Sequence, residues 1–400
     1  MREAPDPTVR DALAVRFRAS TGRRAEVAFR APGRVNLIGE HTDYNEGFVL
    51  PCAIDRDTLA LAAPREDGVF TGTSREDAQA VRIEAGSAAR PGGWGDYVWG
   101  VVRAFAERGA RMTGADLAVA SDVPVGAGLS SSAALCVALV GALDTAFALG
   151  LDPRARAETA HRAECFFVGV PCGVMDQLAS SLGERDHALR IDCRSLEIAL
   201  VPLPARLRLL VADSGVRRRL AAGAYGNRRA ECEEALRLAR ERGVAPPGAR
   251  ALRDLSPRDL PALERALPPV LARRARHVVC ENERVDATAR ALAAGDLAGA
   301  GAALRAGQRS LRDDFEVSIP ELDALCEIAD ALPGVYGSRL SGAGFGGCTL
   351  HLVEAEAAPA VADALARAFE SRFGRRPPVY SVRAADGGAP LAPPVEASGR

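Results

Sequence analysis

The stretch GRVNLIGEHTDYNEG, residues 33–47, runs an apolar segment directly into Glu40, His41, Thr42 and Asp43. Four adjacent hydrogen-bonding side chains exceed what a surface loop needs, and they suit a small ligand with several polar groups. A second stretch, DVPVGAGLSSSAALCVALV at 122–140, reads as strand, glycine loop and helix. Gly126 and Gly128 allow a ligand to approach the backbone closely. Ser130, Ser131 and Ser132 add hydroxyls where the helix begins, and a helix N-terminus offers free N–H groups and a positive dipole end. The natural ligand for such a loop is a phosphate.

Several readings of that loop compete. A Walker A loop needs a lysine, and the chain has none; all 51 basic residues are arginine. A dinucleotide fingerprint fits Gly126 and Gly128, but its acidic residue should end a second strand, whereas Asp144 sits inside one unbroken helical run. A lysine-free nucleotide loop whose serine helps hold Mg²⁺ stays open, as does a plain serine cap after a turn. The missing lysine also excludes a protein-kinase strand lysine and a Schiff base.

Asp176, in VPCGVMDQLASSLG, stands at the start of a short helix. By itself it could merely complement the helix dipole, and Glu164 in HRAECFFVG could be a solvated helix position. The cluster SGAGFGG at 341–347 joins two strand-like segments; it suits a hairpin or a backbone lying against a ligand. None of the five histidines stands at metal-ligand spacing from a carboxylate or cysteine. The nine cysteines contain no C-x-x-C, which argues against disulfides and a zinc site. Trp94 and Trp99 read as packing residues, and VRRRL at 216–220 as a solvated basic turn.

The elements that must position these residues alternate in the first half. RAEVAFRAPG, DTLALAAP and ADLAVASDVP read as strands ending in turns, and HALRIDC and LRLLVADS as further strands. Ser132–Leu151 is long enough to span a membrane, but its alanine content, Asp144 and the preceding loop mark a buried core helix. Residues 223–312 turn helical, rich in Ala, Leu, Arg and Glu. Two domains are expected, 1–205 and 206–400, with a poorly ordered tail from about residue 384. With 48% hydrophobic residues, a formal net charge of -1 and no apolar leader, a cytoplasmic protein is expected, with no partner among nucleic acids or membranes.

Taken together, PVGAGLSSSAA, SGAGFGG and GVPCGVMDQ resemble the motifs of the GHMP small-molecule kinases. GRVNLIGEHTDYNEGFVLP resembles the galactokinase signature, with Glu46 where a small or amide residue is expected. The resemblance implies an α+β fold: an N-terminal mixed-sheet domain, a C-terminal ferredoxin-like domain, and an active site in the cleft between them. It implies galactose and ATP as substrates, Mg²⁺ as cofactor, and phosphorylation of the anomeric hydroxyl of α-D-galactose. Arabinose, galacturonate or N-acetylgalactosamine are alternative acceptors. A non-catalytic sugar sensor of the same fold and a dinucleotide-dependent oxidoreductase are rival classes.

The implied roles follow the motifs. Asp176 is the base and Arg34 faces it. Glu40, His41, Thr42, Asp43, Gly173 and Tyr225 meet the sugar, together with Asp176. Gly126, Ala127, Gly128, Leu129, Ser130, Ser131 and Ser132 hold ATP. Ser132 and Glu164 hold the metal. A monomer is expected.

Overall fold

The computed structural model describes residues 7–170, 172–217 and 221–394. Thirteen strands among them form three sheets. β1 (Val27–Asn36), β3 (Pro51–Pro64), β4 (Val69–Ser74), β5 (Val81–Glu84), β6 (Gly114–Ser121) and β13 (Ala389–Leu391) make a six-stranded sheet in the order β13-β1-β3-β6-β4-β5. Its β4–β6 pair is parallel and the others are antiparallel, so the sheet is mixed. β2 (Phe48–Val49), β7 (His187–Asp192) and β8 (Ile198–Pro202) form a small antiparallel sheet.

β9 (Leu207–Asp213), β10 (Val335–Ser341), β11 (Cys348–Glu354) and β12 (Val379–Val382) form the third sheet, ordered β10-β11-β9-β12. With helices between β9 and β10 and between β11 and β12, this is the ferredoxin-like arrangement. The loop 203–206 joins β8 of one sheet to β9 of the other.

β1 carries almost no polar alternation, and nine of its ten residues are buried. A strand covered on both faces reads this way. On one face the helix Ser131–Ala146 packs Val137, Val140 and Leu143 against Phe29, Ala60 and Ala62. On the other, Leu13 and Phe17 of the helix Pro7–Thr21 cover Leu59, Leu61 and Ala118. A third core joins Val35, Leu37 and Ile38 to Leu350 and Leu352 of β11 and to Val285 of the helix Pro269–Ala293. The two sheets thus meet directly behind the end of β1, where residues 33–47 begin.

The expected helix at 132–151 is observed as Ser131–Ala146, and no helix among the described residues is long and apolar enough to cross a membrane. Asp144 accepts hydrogen bonds from Arg156 (2.8 Å) and from the Leu151 N–H (3.0 Å), so its role is structural. One expectation is corrected. Of the tail expected to be poorly ordered from about residue 384, residues 384–391 are held in the fold, and residues 395–400 lie outside the described residues. Ala384 bridges Ile54, the Ala385, Gly387 and Gly388 N–H groups donate to the carbonyls of Ala53, Gly183 and Ser180, and Ala389–Leu391 adds an edge strand to β1. Small residues permit this: a Cβ on Gly387 would lie 2.4 Å from the Ser181 carbonyl. A Gly/Pro/Ala composition was compatible with disorder, but here it serves close backbone packing.

Candidate active site

A cleft of about 460 Å³ opens where the loops after β1, β6 and β10 meet the N-terminus of the helix Met175–Leu182. Arg34, Glu40, His41, Asp43, Glu164, Gly173, Asp176 and Tyr225 all line it, with Gly126, Gly128 and Ser130 to Ser132.

Asp176 is held at its centre. Arg34 donates from Nε to Oδ1 (2.7 Å) and from Nη2 to Oδ2 (2.8 Å), a forked pairing in which lysine could not substitute. The Ser130 hydroxyl donates to Oδ2 at 2.6 Å. A carboxylate has about four acceptor sites; Arg34 and Ser130 occupy three or more of them and fix the carboxylate at the cleft wall. Arg34 Nη1 also donates to the Gly128 carbonyl (2.8 Å), which ties the Arg34–Asp176 pair to the glycine loop. That loop needs its glycines: Gly126 and Gly128 have φ of 75° and 79°, and Ser130, at 58°, is itself left-handed.

Glu40 is buried beside Arg339 and accepts from the Gly342 N–H at 3.1 Å. Burial pushes its carboxyl up to about 7, with Arg339 only partly offsetting that effect. Arg339 is fully buried and bridges Glu40 to Glu281 (3.0 Å), which in turn accepts from Arg284 (2.6 Å) and the Gly39 N–H (3.0 Å). Burial opposes ionisation of Glu281, but Arg339 and Arg284 outweigh it and hold its carboxyl far below the usual range. Burial also raises Asp43, to about 6. A Cβ on Gly173 would fall 2.2 Å from Asp43 Oδ2, so only glycine leaves this carboxylate room. His41 has φ of 65° and joins Tyr44 Oη (2.9 Å) and the Ala343 carbonyl (3.2 Å). Its ring packs on Tyr225 and Phe315.

Glu164 lies on a π-helical turn, Arg162–Val168, a form often found at functional sites. Burial raises its carboxyl; a hydrogen bond from Ser132 is the largest opposing influence. Gln177 also donates to it, at 2.7 Å. A buried carboxylate and a hydroxyl at a helix N-terminus form a hard oxygen pair that fits Mg²⁺.

Two expectations are corrected, for Thr42 and Trp94. The Thr42 hydroxyl is fully buried on the Gly39 (2.8 Å) and Phe48 (2.6 Å) carbonyls and does not line the cleft; it locks the turn that aims its neighbours. Ala127 and Leu129 bury their side chains in the core beneath the glycine loop, so only their backbone is offered to a ligand. Trp94, read as packing alone, touches Gly72 but also lines a second pocket of about 250 Å³. That pocket shares Tyr97, Val125, Ser131 and Ser132 with the main cleft. Trp99 is buried, as expected. Glu46, the departure from the expected motif, is left-handed (φ 57°) and pairs with Arg194 (2.5 Å), outside the cleft. Of the basic turn at 216–220, residues 218–220 lie outside the described residues, and Arg217 donates to the Val125 carbonyl at 3.3 Å.

Sequence reasoning missed Arg339, Glu281 and Gln177. The only local signal was the arginine in GSRLSG and the residue following Asp176.

The pattern described as the galactokinase galactose-binding signature matches residues 15–64. The N-terminal and C-terminal domain patterns of the GHMP kinases match residues 96–184 and 288–371. A galactokinase of Roseiflexus sp. (strain RS-1) is 47% identical over 380 residues, covering 94% of this chain and 95% of that protein. One from Chloroflexus aurantiacus is 48% identical over 355 residues, covering 87% and 89%. The crystal structure of Lactococcus lactis galactokinase complexed with galactose superposes with a TM-score of 0.91 at 33% identity, covering 96% of this chain and all of that one. A mevalonate kinase at 14% identity and a TM-score of 0.64 shares the fold. On this sequence identity, coverage and structural match, the chain belongs to the galactokinase family of the GHMP kinases.

Proposed function

We infer that the protein transfers the γ-phosphoryl group of ATP to the anomeric hydroxyl of α-D-galactose, releasing ADP and galactose 1-phosphate. The observation that carries this reading is the position of Asp176. It lines the cleft with the glycine loop and the group Glu40, His41, Asp43 and Tyr225, its carboxylate held by Arg34 and Ser130.

In this reading Glu40, His41 and Asp43 accept from and donate to sugar hydroxyls, and Gly173 admits Asp43. Tyr225 closes the sugar end beside His41 and Tyr44. Buried, hydrogen-bonding sites of this kind reject an epimer strongly, because one misplaced hydroxyl leaves protein groups unpaired. The backbone of the Gly126–Ser132 loop and the N-terminus of the helix Ser131–Ala146 cradle phosphates. The pocket bounded by Trp94, Tyr97 and Leu135 takes the base of ATP.

The new bond joins the anomeric oxygen to the γ-phosphorus, and the bond to the β-phosphate oxygen breaks. Asp176 Oδ1 accepts the hydroxyl proton, and Arg34 offsets charge developing on the transferring group. Ser132 and Glu164 would hold Mg²⁺, which when bound neutralises phosphate charge. Most of the acceleration then comes from positioning and electrostatics. We read residues 1–205 and 206–383 as two domains that meet at this cleft, with the strand Ala389–Leu391 returning to the sheet of the first, in a protein active as a monomer.

ADP release over a panel of free sugars tests the assignment. Galactose should be turned over far faster than glucose, its C4 epimer. Equal rates on the two would overturn the sugar assignment, and preference for arabinose, galacturonate or N-acetylgalactosamine would redirect it.

A further inference from the structure

His161, Cys165 and Cys172 bring one nitrogen and two sulfurs within 4.8 Å of one another, the one such grouping of potential metal ligands found among the described residues. The sequence reading found no histidine at metal-ligand spacing, yet His161 and Cys165 stand four residues apart where the helix Pro153–His161 runs into the π-helical turn. Neighbours at that spacing share a helix face. Cys172 reaches them from the loop before the helix Met175–Leu182.

The three groups already converge on one point. His161 Nε2 lies 3.2 Å from the Cys172 carbonyl, and the Cys165 thiol donates to the same oxygen at 3.6 Å. The Cys172 sulfur has only a long contact to Gln177 Nε2, at 3.9 Å. Zinc ligation through Nε2 would replace the His161 hydrogen bond, while the two sulfur contacts are long.

We propose that His161, Cys165 and Cys172 form a Zn²⁺ site on the rim of the active-site cleft, through which zinc slows the enzyme. The donor set is imidazole and two thiolates, which selects Zn²⁺ over Mg²⁺. Tetrahedral zinc places such ligand atoms roughly 3.6–3.8 Å apart, so side-chain rotations that close the group by about 1 Å suffice. Binding forms two Zn–S bonds and one Zn–N bond, and releases the two thiol protons to solvent. With three protein ligands, the fourth position is left for water.

The regulatory consequence follows from what the site borders, and it rests on the sugar-kinase reading above. Cys172 lines the cleft and immediately precedes Gly173, against which the Asp43 carboxylate packs. Glu164 immediately precedes Cys165 on the π-helical turn that His161 caps. Drawing Cys172 toward that turn shifts Gly173 against Asp43 and weakens the sugar pocket.

The test uses the full chain in a phosphine reductant, with Cd²⁺ as the probe. Its thiolate complexes absorb in the ultraviolet by charge transfer. A band that saturates at one Cd²⁺ per chain and is displaced by Zn²⁺ is expected. It should weaken at least about tenfold in Cys165→Ser and in Cys172→Ser, since losing even an outer partner of a metal ligand costs that much. Absence of the band, or a band unchanged in both variants, would overturn the site. In turnover assays with excess Mg-ATP, Zn²⁺ should raise the KM for galactose. Cys165→Ser, whose side chain is outside the cleft, should keep basal turnover and lose this sensitivity. If it stays equally inhibited, zinc acts elsewhere and the regulatory half fails. If the wild type does not phosphorylate galactose at all, the kinase reading fails, while the Cd²⁺ titration still decides the site.

Discussion

In the proposed mechanism Asp176 and Arg34 act on one proton and one developing charge, and their removal should show it. Asp176→Asn keeps the shape but loses the acceptor, so turnover should fall about 10²–10⁴-fold, with ATP binding preserved. Arg34→Lys keeps the charge but loses the fork that grips both carboxylate oxygens and the Gly128 carbonyl. A large fall in turnover with a smaller change in galactose affinity is expected. Single-turnover ADP formation in both single variants and the double variant should give strongly non-additive losses; simple additivity would mean the two residues work independently.

Asp43 makes a different kind of prediction at the same scale. Its carboxyl is raised from 3.8 to about 6, chiefly by burial. The folded state therefore holds this proton more tightly than the unfolded chain does. The resulting stability is complete below the ordinary carboxyl range and is lost as pH rises through about 6. Asp43→Asn removes that loss. The variant should be more stable than the wild type above neutral pH, by up to about 3 kcal/mol, and little different in acid. Its KM for galactose should rise, because a charged acceptor in the pocket is gone. Thermal melts across pH check the first point and steady-state kinetics the second.

At the scale of elements, the site depends on a few close approaches. A Cβ at Gly141 would lie 2.3 Å from the Phe29 ring, where the helix Ser131–Ala146 crosses β1. Gly141→Ala should therefore cost about 1–3 kcal/mol of stability by overpacking, read by denaturant melts, with kinetic constants near normal. Gly173→Ala crowds a functional atom instead, Asp43 Oδ2 at 2.2 Å. It should raise the KM for galactose and leave that for ATP unchanged. A rise in both would mean the loop serves the nucleotide as well.

Across the whole molecule, Arg339 of β10 connects Glu40, after β1, to Glu281, on the helix Pro269–Ala293. All three side chains are buried, and Arg339 is at 0% exposure. Arg339→Ala leaves two carboxylates close together without their shared cation, which should cost about 3–5 kcal/mol. A triple variant combining Arg339→Met, Glu40→Gln and Glu281→Gln removes all three charges at once. It should recover most of that stability, measured by chemical denaturation, but not galactose affinity. If Arg339→Ala unfolds at the wild-type denaturant concentration, the network does not hold the two sheets together.

Much of the cleft lining was legible in local sequence because its groups come in runs. Glu40, His41 and Asp43 are adjacent, the glycine loop opens directly into its helix, and Asp176 begins another. The same local reading misjudged residues whose role depends on what lies across the fold. Thr42 sits in the polar run but is turned inward by two carbonyls. Residues 384–391 have the composition of a loose tail, yet a bridge to Ile54 and edge pairing of Ala389–Leu391 with β1 recruit them. Ser130 lines the cleft with the glycine loop, and the sequence could not show that its hydroxyl also donates to Asp176, 46 residues away. Arg339 and Glu281 carried no motif, since a buried ion pair is created by two distant segments meeting where water is excluded. Short-range spacing determines which groups can face one ligand. Desolvation and long-range contacts, which exist only once the sheets pack, decide which of those groups do so and what charge they carry.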